Sequence, residues 1–297
     1  MRLGLEKRDY RSTRMTVLVP IVSLLISFLL GAIVLAISNV NPLQTYGAML
    51  KGAFGSQTKI QYTIAKTIPL LLCGLAVGIA FRLKFWNIGA EGQYVAGVIG
   101  ITWVMQFWTF LPNMLRLPVG MLIGVLCGAF WGGIPGALKA QWSVDETLTT
   151  LMMNFLGVSL ANALIKLVLR DPSTTVPQTL TLATDDRLPR LFGSTIHLGV
   201  VIGLLCVIAV HVIMTRTAFG LKLRVLGESR RVARHAGLPV ERLTLLAFGL
   251  SAGLAGLAGL AGHPVERALP VDRVRRGQLR LLRAHPHRHP AAAGAVE

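Results

Sequence analysis

Long apolar runs with few charges are the feature that most limits what this chain can fold into. The first run, residues 17–37, contains no Asp, Glu, Lys or Arg, and several similar runs follow it. Runs of about 18–25 residues are long enough to cross the hydrocarbon core of a bilayer as helices. We therefore predict an all-α fold, a polytopic bundle of transmembrane helices. The first run is expected to be an anchor and not a cleaved signal peptide, because further apolar runs follow.

About seven spans are predicted, and the basic residues between them indicate an orientation. The spans lie at 17–37, 62–81, 88–110, 117–138, 146–169, 197–214 and 243–262. Fifteen Lys and Arg residues fall in the segments on the N-terminal side of the membrane, against six on the other side. The positive-inside rule then predicts a cytoplasmic N-terminus. The predicted organisation is an N-terminal cytoplasmic tail at 1–16, a transmembrane domain at 17–262 and a C-terminal tail at 263–297.

Charge, cysteine and motif content exclude several classes of function. The formal net charge of +17 follows from the basic segments between spans, so no nucleic-acid partner is expected. Cys73, Cys127 and Cys206 lie in apolar runs without metal-ligand spacing and are expected to be packing residues. His197 and His211 flank one span and are too far apart to share a metal, so no metal site is predicted. No phosphate-binding loop or hydrolase signature is present. The chain is therefore predicted to be no enzyme and to hold no cofactor, with any ATP bound by another subunit.

A polar segment, NIGAEGQ at residues 87–93, interrupts two apolar runs. An ionised carboxylate in hydrocarbon is costly, so Glu91 is expected to face protein, a water-filled cavity or the interface. Gly89 and Gly92 permit another segment to approach closely. One interpretation is a packed or broken helix start beside a translocation path. The other is that Asn87 caps the helix while Glu91, in its first turn, complements the helix dipole. Both interpretations stay open.

A second polar cluster lies in WSVDETLTTLMMN, residues 142–154. Ser143 and Glu146 have the S-x-x-E spacing of a capping box, which predicts that Ser143 begins the next helix, and Asp145 lies between them. Asn154 lies about two turns into the membrane, where an amide needs a hydrogen-bond partner. That partner is either another helix or a permeating solute. At the other end of the chain, Gly249 and Gly253 have G-x-x-x-G spacing, which predicts close helix packing.

Two long loops have features of interaction surfaces. The outer loop, residues 170–196, either meets an extracytoplasmic partner or simply connects two spans. The cytoplasmic loop, residues 215–242, contains the signals of one short helix at residues 228–236. These signals are Gly227 before it, Glu228 in its first turn, Gly237 as a stop and Pro239 beyond. This basic helix either binds anionic lipid or docks into a cytoplasmic partner.

Three blocks in order give the chain a resemblance to a known family. FWNIGAEGQ at 85–93, GGIPGALKAQWSVDETLTTLMMNF at 132–155 and FGLKLRVLGESRRVARHAGL at 219–238 resemble permease subunits of bacterial ABC importers. The similarity is to the branched-chain amino acid and ribose type, in its nucleoside or simple-sugar branch, over roughly residues 15–262. The resemblance implies a multi-pass protein of the bacterial plasma membrane. It also implies an ATP-binding subunit, a second permease subunit, an extracytoplasmic solute-binding protein and surrounding membrane lipid as partners.

The resemblance also implies roles for residues. It places the polar segment and the second cluster near the translocation path, with path residues Asn87, Glu91, Gln93 and Asn154. The cytoplasmic loop resembles the segment that couples such permeases to the ATPase, with coupling residues Gly227, Glu228, Arg231, Ala233 and Gly237. From the residues themselves, an alternative is a secondary transporter or channel that uses Glu91 as an ion-coupling site.

The tail at 263–297 departs from this family pattern. It holds seven Arg and four His but no Lys, Ile, Phe, Tyr, Trp, Met, Ser, Thr, Asn or Cys. Such a composition is expected from a GC-rich gene read in the wrong frame, so one hypothesis is a frameshift near codon 262. The alternative is a genuine basic tail, disordered and in contact with lipid or nucleic acid.

Overall fold

The computed structural model describes residues 13–171, 179, 188–191 and 196–262. Within these residues the fold is helical, and the only β-type pairings are two isolated bridges, Arg170 with Thr179 and Arg190 with His197. The predicted all-α fold is therefore confirmed. The predictions for the tail at 263–297, and for most of the segments 1–16 and 170–196, fall outside the described residues.

The described residues form ten helices. In chain order these are α1 Thr13–Ile37, α2 Pro42–Phe54, α3 Gln57–Arg82, α4 Ala90–Phe107, α5 Asn113–Trp142, α6 Glu146–Leu167, α7 Gly199–Arg216, α8 Ala218–Glu228, α9 Arg230–His235 and α10 Val240–Gly262.

Six of these helices are long and apolar enough to cross a membrane: α1, α3, α5, α6, α7 and α10. The remaining predicted span, 88–110, corresponds to α4, which has 18 residues and carries Glu91, Gln93 and Gln106. This helix packs against α5, α6 and α10, and much of its surface is buried among them. A polytopic bundle is thus confirmed, whereas the number of spans and the cytoplasmic side of the N-terminus stay predictions.

The described residues divide into two compact units between Thr63 and Ile64. In the first unit, α2 follows α1 after a short turn and begins at Asn41, whose side chain accepts hydrogen bonds from two backbone amides of α2. The Tyr46 hydroxyl donates to the carbonyl of Phe28 at 2.8 Å, and the two rings meet edge to face. These contacts hold α2 against α1.

Glycines hold α4, α5 and α10 together at the centre of the second unit. A Cβ at Gly97 of α4 would overlap the backbone of Gly256 on α10, and a Cβ at Gly128 of α5 would lie 2.7 Å from the Gly256 Cα. Only glycine permits helix backbones to lie so close. At Gly249 a Cβ would meet nothing within 4 Å, whereas at Gly253 it would lie 3.2 Å from Val125. The tight contact of α10 therefore lies one to two turns beyond Gly249.

The start of α6 differs from the prediction. The N-cap of α6 is Asp145, whose side chain accepts from the Leu148 amide at 2.9 Å, so the capping box predicted from Ser143 is wrong. Ser143 instead ends α5 in the left-handed conformation, with φ 54°. Glu146 is free of a capping role because its carboxylate pairs with Lys139 at 2.5 Å.

The loop at residues 215–242, which is predicted to be cytoplasmic, contains two helices where one is predicted. Glu228 is the last residue of α8, and the next helix, α9, begins only after Ser229, whose side chain accepts from the Val232 amide. The signal missed was Ser229 itself, because serine is a favoured N-cap residue. Gly237, with φ +71°, lies just after α9, as expected for a C-terminal stop.

Candidate functional site

The polar segment lies in the connection between α3 and α4, residues 83–89, which we call the α3–α4 linker. It begins as α3 ends in a Schellman turn, in which Lys84 adopts a left-handed φ of 57° and the Phe85 amide donates to the Ala80 carbonyl at 3.2 Å. Leu83 and Phe85 then turn inward and are buried. The linker therefore enters the interior of the second unit instead of crossing its surface.

Asn87 is the centre of a buried hydrogen-bond network. Its Oδ1 accepts from the Gly89 amide at 2.9 Å and from Gln93 Nε2 at 3.2 Å. Its Nδ2 donates to Gln93 Oε1 at 3.2 Å and to Ser251 Oγ on α10 at 3.3 Å. Ser251 in turn donates to the Ala76 carbonyl of α3 at 2.7 Å. The network joins α3, the linker, α4 and α10, and its three polar side chains are at most 3% exposed.

The capping interpretation of Asn87 needs a correction. The N-cap of α4 is Gly89, which has no side chain to cap the helix. Asn87 acts one step earlier, because its side-chain oxygen accepts the amide of that N-cap residue. It therefore fixes the chain just before the helix begins, through a local side-chain-to-backbone bond of the kind common for Asn in turns.

The helix α6 closes the other side of the linker. Asn154 donates to the Ile88 carbonyl at 2.6 Å and accepts from the Gly92 amide at 2.6 Å, so both ends of its amide are used by the linker and α4. Thr150 accepts from the Ile88 amide at 3.2 Å. A Cβ at Gly92 would lie 2.8 Å from the Met153 carbonyl. The partner that Asn154 needs within the membrane is thus the backbone of a neighbouring segment.

Glu91 differs from the other polar residues of this segment because it is exposed. It lies in the first turn of α4, where a carboxylate complements the partial positive charge of the helix end. The four predicted path residues are therefore close together but have different environments. Asn87, Gln93 and Asn154 are bound to protein groups, and only Glu91 presents its side chain to the surroundings.

The helices α8 and α9 contact the end of α3 and the linker directly. A Cβ at Gly227 of α8 would overlap the carbonyl oxygen of Arg82, so the backbones of α8 and the end of α3 touch there. Glu228 forms an ion pair with Lys84 of the linker at 2.9 Å, between side chains that are more than half exposed. An exposed pair of this kind stabilises little by itself. The backbone contact at Gly227 is therefore the stronger constraint.

Phe85 of the linker lies between α9 and α10. The Arg230 guanidinium of α9 lies 5.1 Å from the centre of its ring, in cation–π geometry. On α10, the Phe248 ring stacks with it at 5.6 Å. Ala233 of α9 is fully buried in the same apolar cluster. Of the other predicted coupling residues, Arg231 is exposed on the opposite side of α9.

Three residues of this site were not singled out from the sequence: Thr150, Ser251 and Phe85. Each is a common residue of a membrane helix or its end, and only its partner in the fold reveals its role. Arg230 was not singled out either. One of its guanidinium nitrogens is buried without a hydrogen-bond partner among the described residues.

His197 lies at the far end of the second unit, just before α7. Its ring is buried, which lowers the pKa of His197 below its usual value near 6.5 because burial disfavours the charged form. The Nδ1 atom accepts from the Gly199 amide at 3.2 Å, an interaction that requires this nitrogen to be unprotonated. His197 is therefore a neutral residue that fixes the start of α7.

Comparison with known proteins identifies the family. Residues 59–262 match the family described as branched-chain amino acid transport system / permease component. The chain is 31% identical over 247 residues to the glucose ABC transporter permease protein TsgB13 of Haloferax volcanii, covering 80% of this chain and 65% of that protein. It is 31% identical over 251 residues to the guanosine ABC transporter permease protein NupP of Bacillus subtilis, covering 82% and 72% respectively.

A third relative is also named as a permease. The nucleoside ABC transporter permease protein NupB of Lactococcus lactis subsp. cremoris is 30% identical over 249 residues, covering 81% of this chain and 68% of that protein. No solved structure matches the chain. The chain spans about two thirds of the length of these relatives. With a family match over most of its length and six apolar helices, the chain belongs to the permease components of branched-chain-amino-acid-type ABC transport systems, transport proteins of the bacterial plasma membrane and not enzymes.

Proposed function

We propose that this chain forms one transmembrane subunit of an ABC importer that moves a nucleoside or simple sugar into the cell. Its partners are a cytoplasmic ATP-binding subunit, a second permease subunit and an extracytoplasmic solute-binding protein. The relatives are named as glucose, guanosine and nucleoside permeases, which supports this substrate class. The family match favours the importer over a secondary transporter or channel.

The observation that carries the mechanism is the contact of α8 and α9 with the α3–α4 linker. In this proposal α9 docks into the ATP-binding subunit, with its exposed face as the docking surface. That face combines cationic Arg231 and Arg234 with apolar Val232, which is 57% exposed. An apolar side chain surrounded by arginines suits a protein partner better than water.

Movement of α9 reaches the membrane helices through Phe85. Because Phe85 lies between Arg230 and Phe248, a displacement of α9 changes the packing of α10 and of the linker together. The linker is bound to α10 through the Asn87 network and to α6 through Asn154. A movement of the linker therefore displaces α6 and α10 as well. We propose that Asn87, Gln93 and Asn154 act as positioning residues of the translocation path, and that Glu91 is the side chain nearest the solute.

The experiment is reconstitution of the full chain with its candidate partner subunits, followed by ATP hydrolysis with and without solute-loaded binding protein. We expect stimulation by the loaded binding protein, and loss of stimulation in Arg231→Ala and Glu228→Ala with basal hydrolysis retained. Lys166 is an exposed cation in the last turn of α6. Lys166→Ala is therefore the matched control, and its ATP hydrolysis should be stimulated as in the wild type. Unchanged stimulation in both α8–α9 variants would refute the coupling role. Absence of any stimulation by nucleosides or sugars in the wild type would refute the substrate class.

A further inference from the structure

A cavity of about 430 Å³ lies between α3 and α7. None of its lining residues belongs to the Asn87 network, and its Arg82 end adjoins Gly227 of α8. Its wall runs from Leu71 to Arg82 on α3 and extends along α7 as far as Thr215. The two helices run in the same direction. The cavity is therefore apolar near Leu71 and polar near the C-terminal ends of both helices, where Arg82 and Thr215 lie. Nothing in the proposed transport mechanism uses this cavity.

The cavity is long and narrow. The twelve residues from Leu71 to Arg82 are separated by eleven steps, about 16 Å of helix at a rise of 1.5 Å per residue, which is about half of the ~30 Å hydrocarbon thickness of a bilayer. Spreading 430 Å³ over this length leaves a mean cross-section of about 26 Å², or a width of about 6 Å. A groove of this length and cross-section accommodates a single extended hydrocarbon chain along α3 and α7.

The cavity is open along its side and closed at its apolar end. Gly74 and Gly78 are exposed, one turn apart on α3, and a Cβ at either would meet nothing within 4 Å. At the closed end α3 and α7 approach each other, because a Cβ at Gly203 would lie 3.2 Å from Ile68. The two glycines thus leave a groove that protein side chains do not fill.

The open end of the groove carries unused positive charge. Arg82 is the last residue of α3, is exposed, and has no side-chain hydrogen bond or ion pair within the described part of the chain. Lys84, two residues on, is already paired with Glu228. His211 and Thr215 line this end one turn apart on α7, and the Thr215 hydroxyl donates to the His211 carbonyl at 2.6 Å. An arginine at the end of an apolar groove extends to the membrane interface, where lipid phosphates lie.

We propose that the groove between α3 and α7 binds one anionic phospholipid, with an acyl chain along Gly74 and Gly78 and the phosphate at Arg82. An acyl chain is already in an apolar medium, so selectivity comes from the head group. Arginine binds phosphate oxygens through two parallel charge-assisted hydrogen bonds. Basic pockets between transmembrane helices are suited to anionic head groups for this reason. The bound lipid fills the space between α3 and α7 and keeps the two helices at their observed separation.

The test uses the full chain in nanodiscs that contain a trace of phosphatidylglycerol with a photoreactive diazirine in its acyl chain. After irradiation, mass spectrometry of peptides locates the cross-links. We expect cross-links on residues 71–82 and 207–215, competed by unlabelled phosphatidylglycerol better than by phosphatidylcholine with the same chains. Gly78→Leu fills the groove and should abolish these cross-links. Gly133→Leu, at another glycine with open space around it, is the matched control and should retain them.

The charge is tested separately. In Arg82→Ala the groove remains, so cross-linking should persist, but competition by phosphatidylglycerol should weaken about tenfold and approach that of phosphatidylcholine. If the Gly78→Leu protein differs from the wild type in its gel-filtration elution or in its unfolding curve, Gly74→Leu is used in its place. Equal cross-linking in the wild type and in Gly78→Leu would overturn the proposal. So would a Gly78→Leu variant that keeps its cross-linked lipid but no longer co-purifies with the second permease, because the groove would then bind protein and not lipid. These outcomes do not depend on ATP hydrolysis or transport.

Discussion

Replacement of Asn87 by alanine should lower the stability of the second unit by more than the loss of such a small side chain usually does. The side chain makes four hydrogen bonds, and its loss removes the only described partners of three buried groups: the Gly89 amide and both ends of the Gln93 amide. Leaving a buried donor or acceptor unpaired costs about 1–3 kcal/mol each. Gln93 is fully buried and offers little access to water. We expect a loss of roughly 3 kcal/mol or more in the free energy of unfolding.

A second substitution should recover part of this loss. Gln93→Met alone leaves Asn87 bonded to Gly89 and Ser251, so it should cost about 1 kcal/mol. In the double variant Asn87→Ala/Gln93→Met only the Gly89 amide stays unpaired. The double variant should therefore be more stable than Asn87→Ala, because removing both partners of a buried hydrogen bond costs less than removing one.

The free energy of unfolding is measured by titrating SDS into the purified full chain in mixed micelles, with circular dichroism as the signal. Asn162→Ala, on the exposed surface of α6 and away from the network, is the matched control and should change little. If the two single losses simply add in the double variant, Gln93 does not depend on Asn87 and the network has no cooperative role.

Three further predictions concern packing, ion pairs and pH, each measured by the same unfolding assay. Gly128→Leu should cost at least about 1–3 kcal/mol, because its side chain would enter the backbone of α10; Gly133→Leu should be nearly neutral, and equal costs would refute the glycine contact. Lys139→Met leaves the Glu146 carboxylate, whose side chain is 13% exposed, without its cation and should cost several kcal/mol of unfolding free energy. Lys84→Met breaks the exposed pair with Glu228 and should cost about 0–1 kcal/mol. A larger cost for Lys84→Met than for Lys139→Met would contradict the burial of these two pairs. Burial lowers the pKa of His197, so below about pH 6.5 the unfolded chain binds a proton that the folded chain resists, and stability should fall as the pH falls. His197→Gln should make that fall smaller, and an identical pH dependence would show that this histidine is not responsible.

The helices that cross the membrane could be predicted because apolar length is a local property. Their ends could not all be predicted, since two residues compete for a cap. At the start of α6, Ser143 has the S-x-x-E spacing, but Asp145 has the position from which its carboxylate reaches a helix amide. Glu146, the other half of the predicted box, gains more from Lys139, because a partly buried carboxylate needs a cation.

The short helices depended on information that the sequence contains only in part. The helix α2 is short and partly polar, so it has no membrane signal and was missed. The sequence predicts a loop at the position of α8, because the apolar residues of this helix form only a narrow face. Leu223 and Leu226 are buried against α3, the linker and α10, which are distant in sequence. Tertiary packing decides such elements, and local propensity is a weak guide to them.

The candidate site shows the same division. Asn87, Glu91, Gln93 and Asn154 stood out because polar residues are rare between apolar runs. Their partners did not, because Ser251 and Thr150 resemble many small polar residues of membrane helices, and the bonds that use them join residues more than 60 positions apart. Sequence therefore indicated where a polar cluster lies, and the fold showed that most of its hydrogen bonds are made within the protein.

The most direct test of the central claim is uptake of radiolabelled guanosine and glucose by proteoliposomes. These contain the full chain with its candidate ATP-binding subunit, second permease and solute-binding protein. An importer permease predicts that uptake of one of these solutes requires ATP and the binding protein, and continues when ionophores collapse the ion gradients. Uptake that survives the removal of ATP but stops when the ion gradients collapse would contradict the account, and would assign Glu91 to ion coupling.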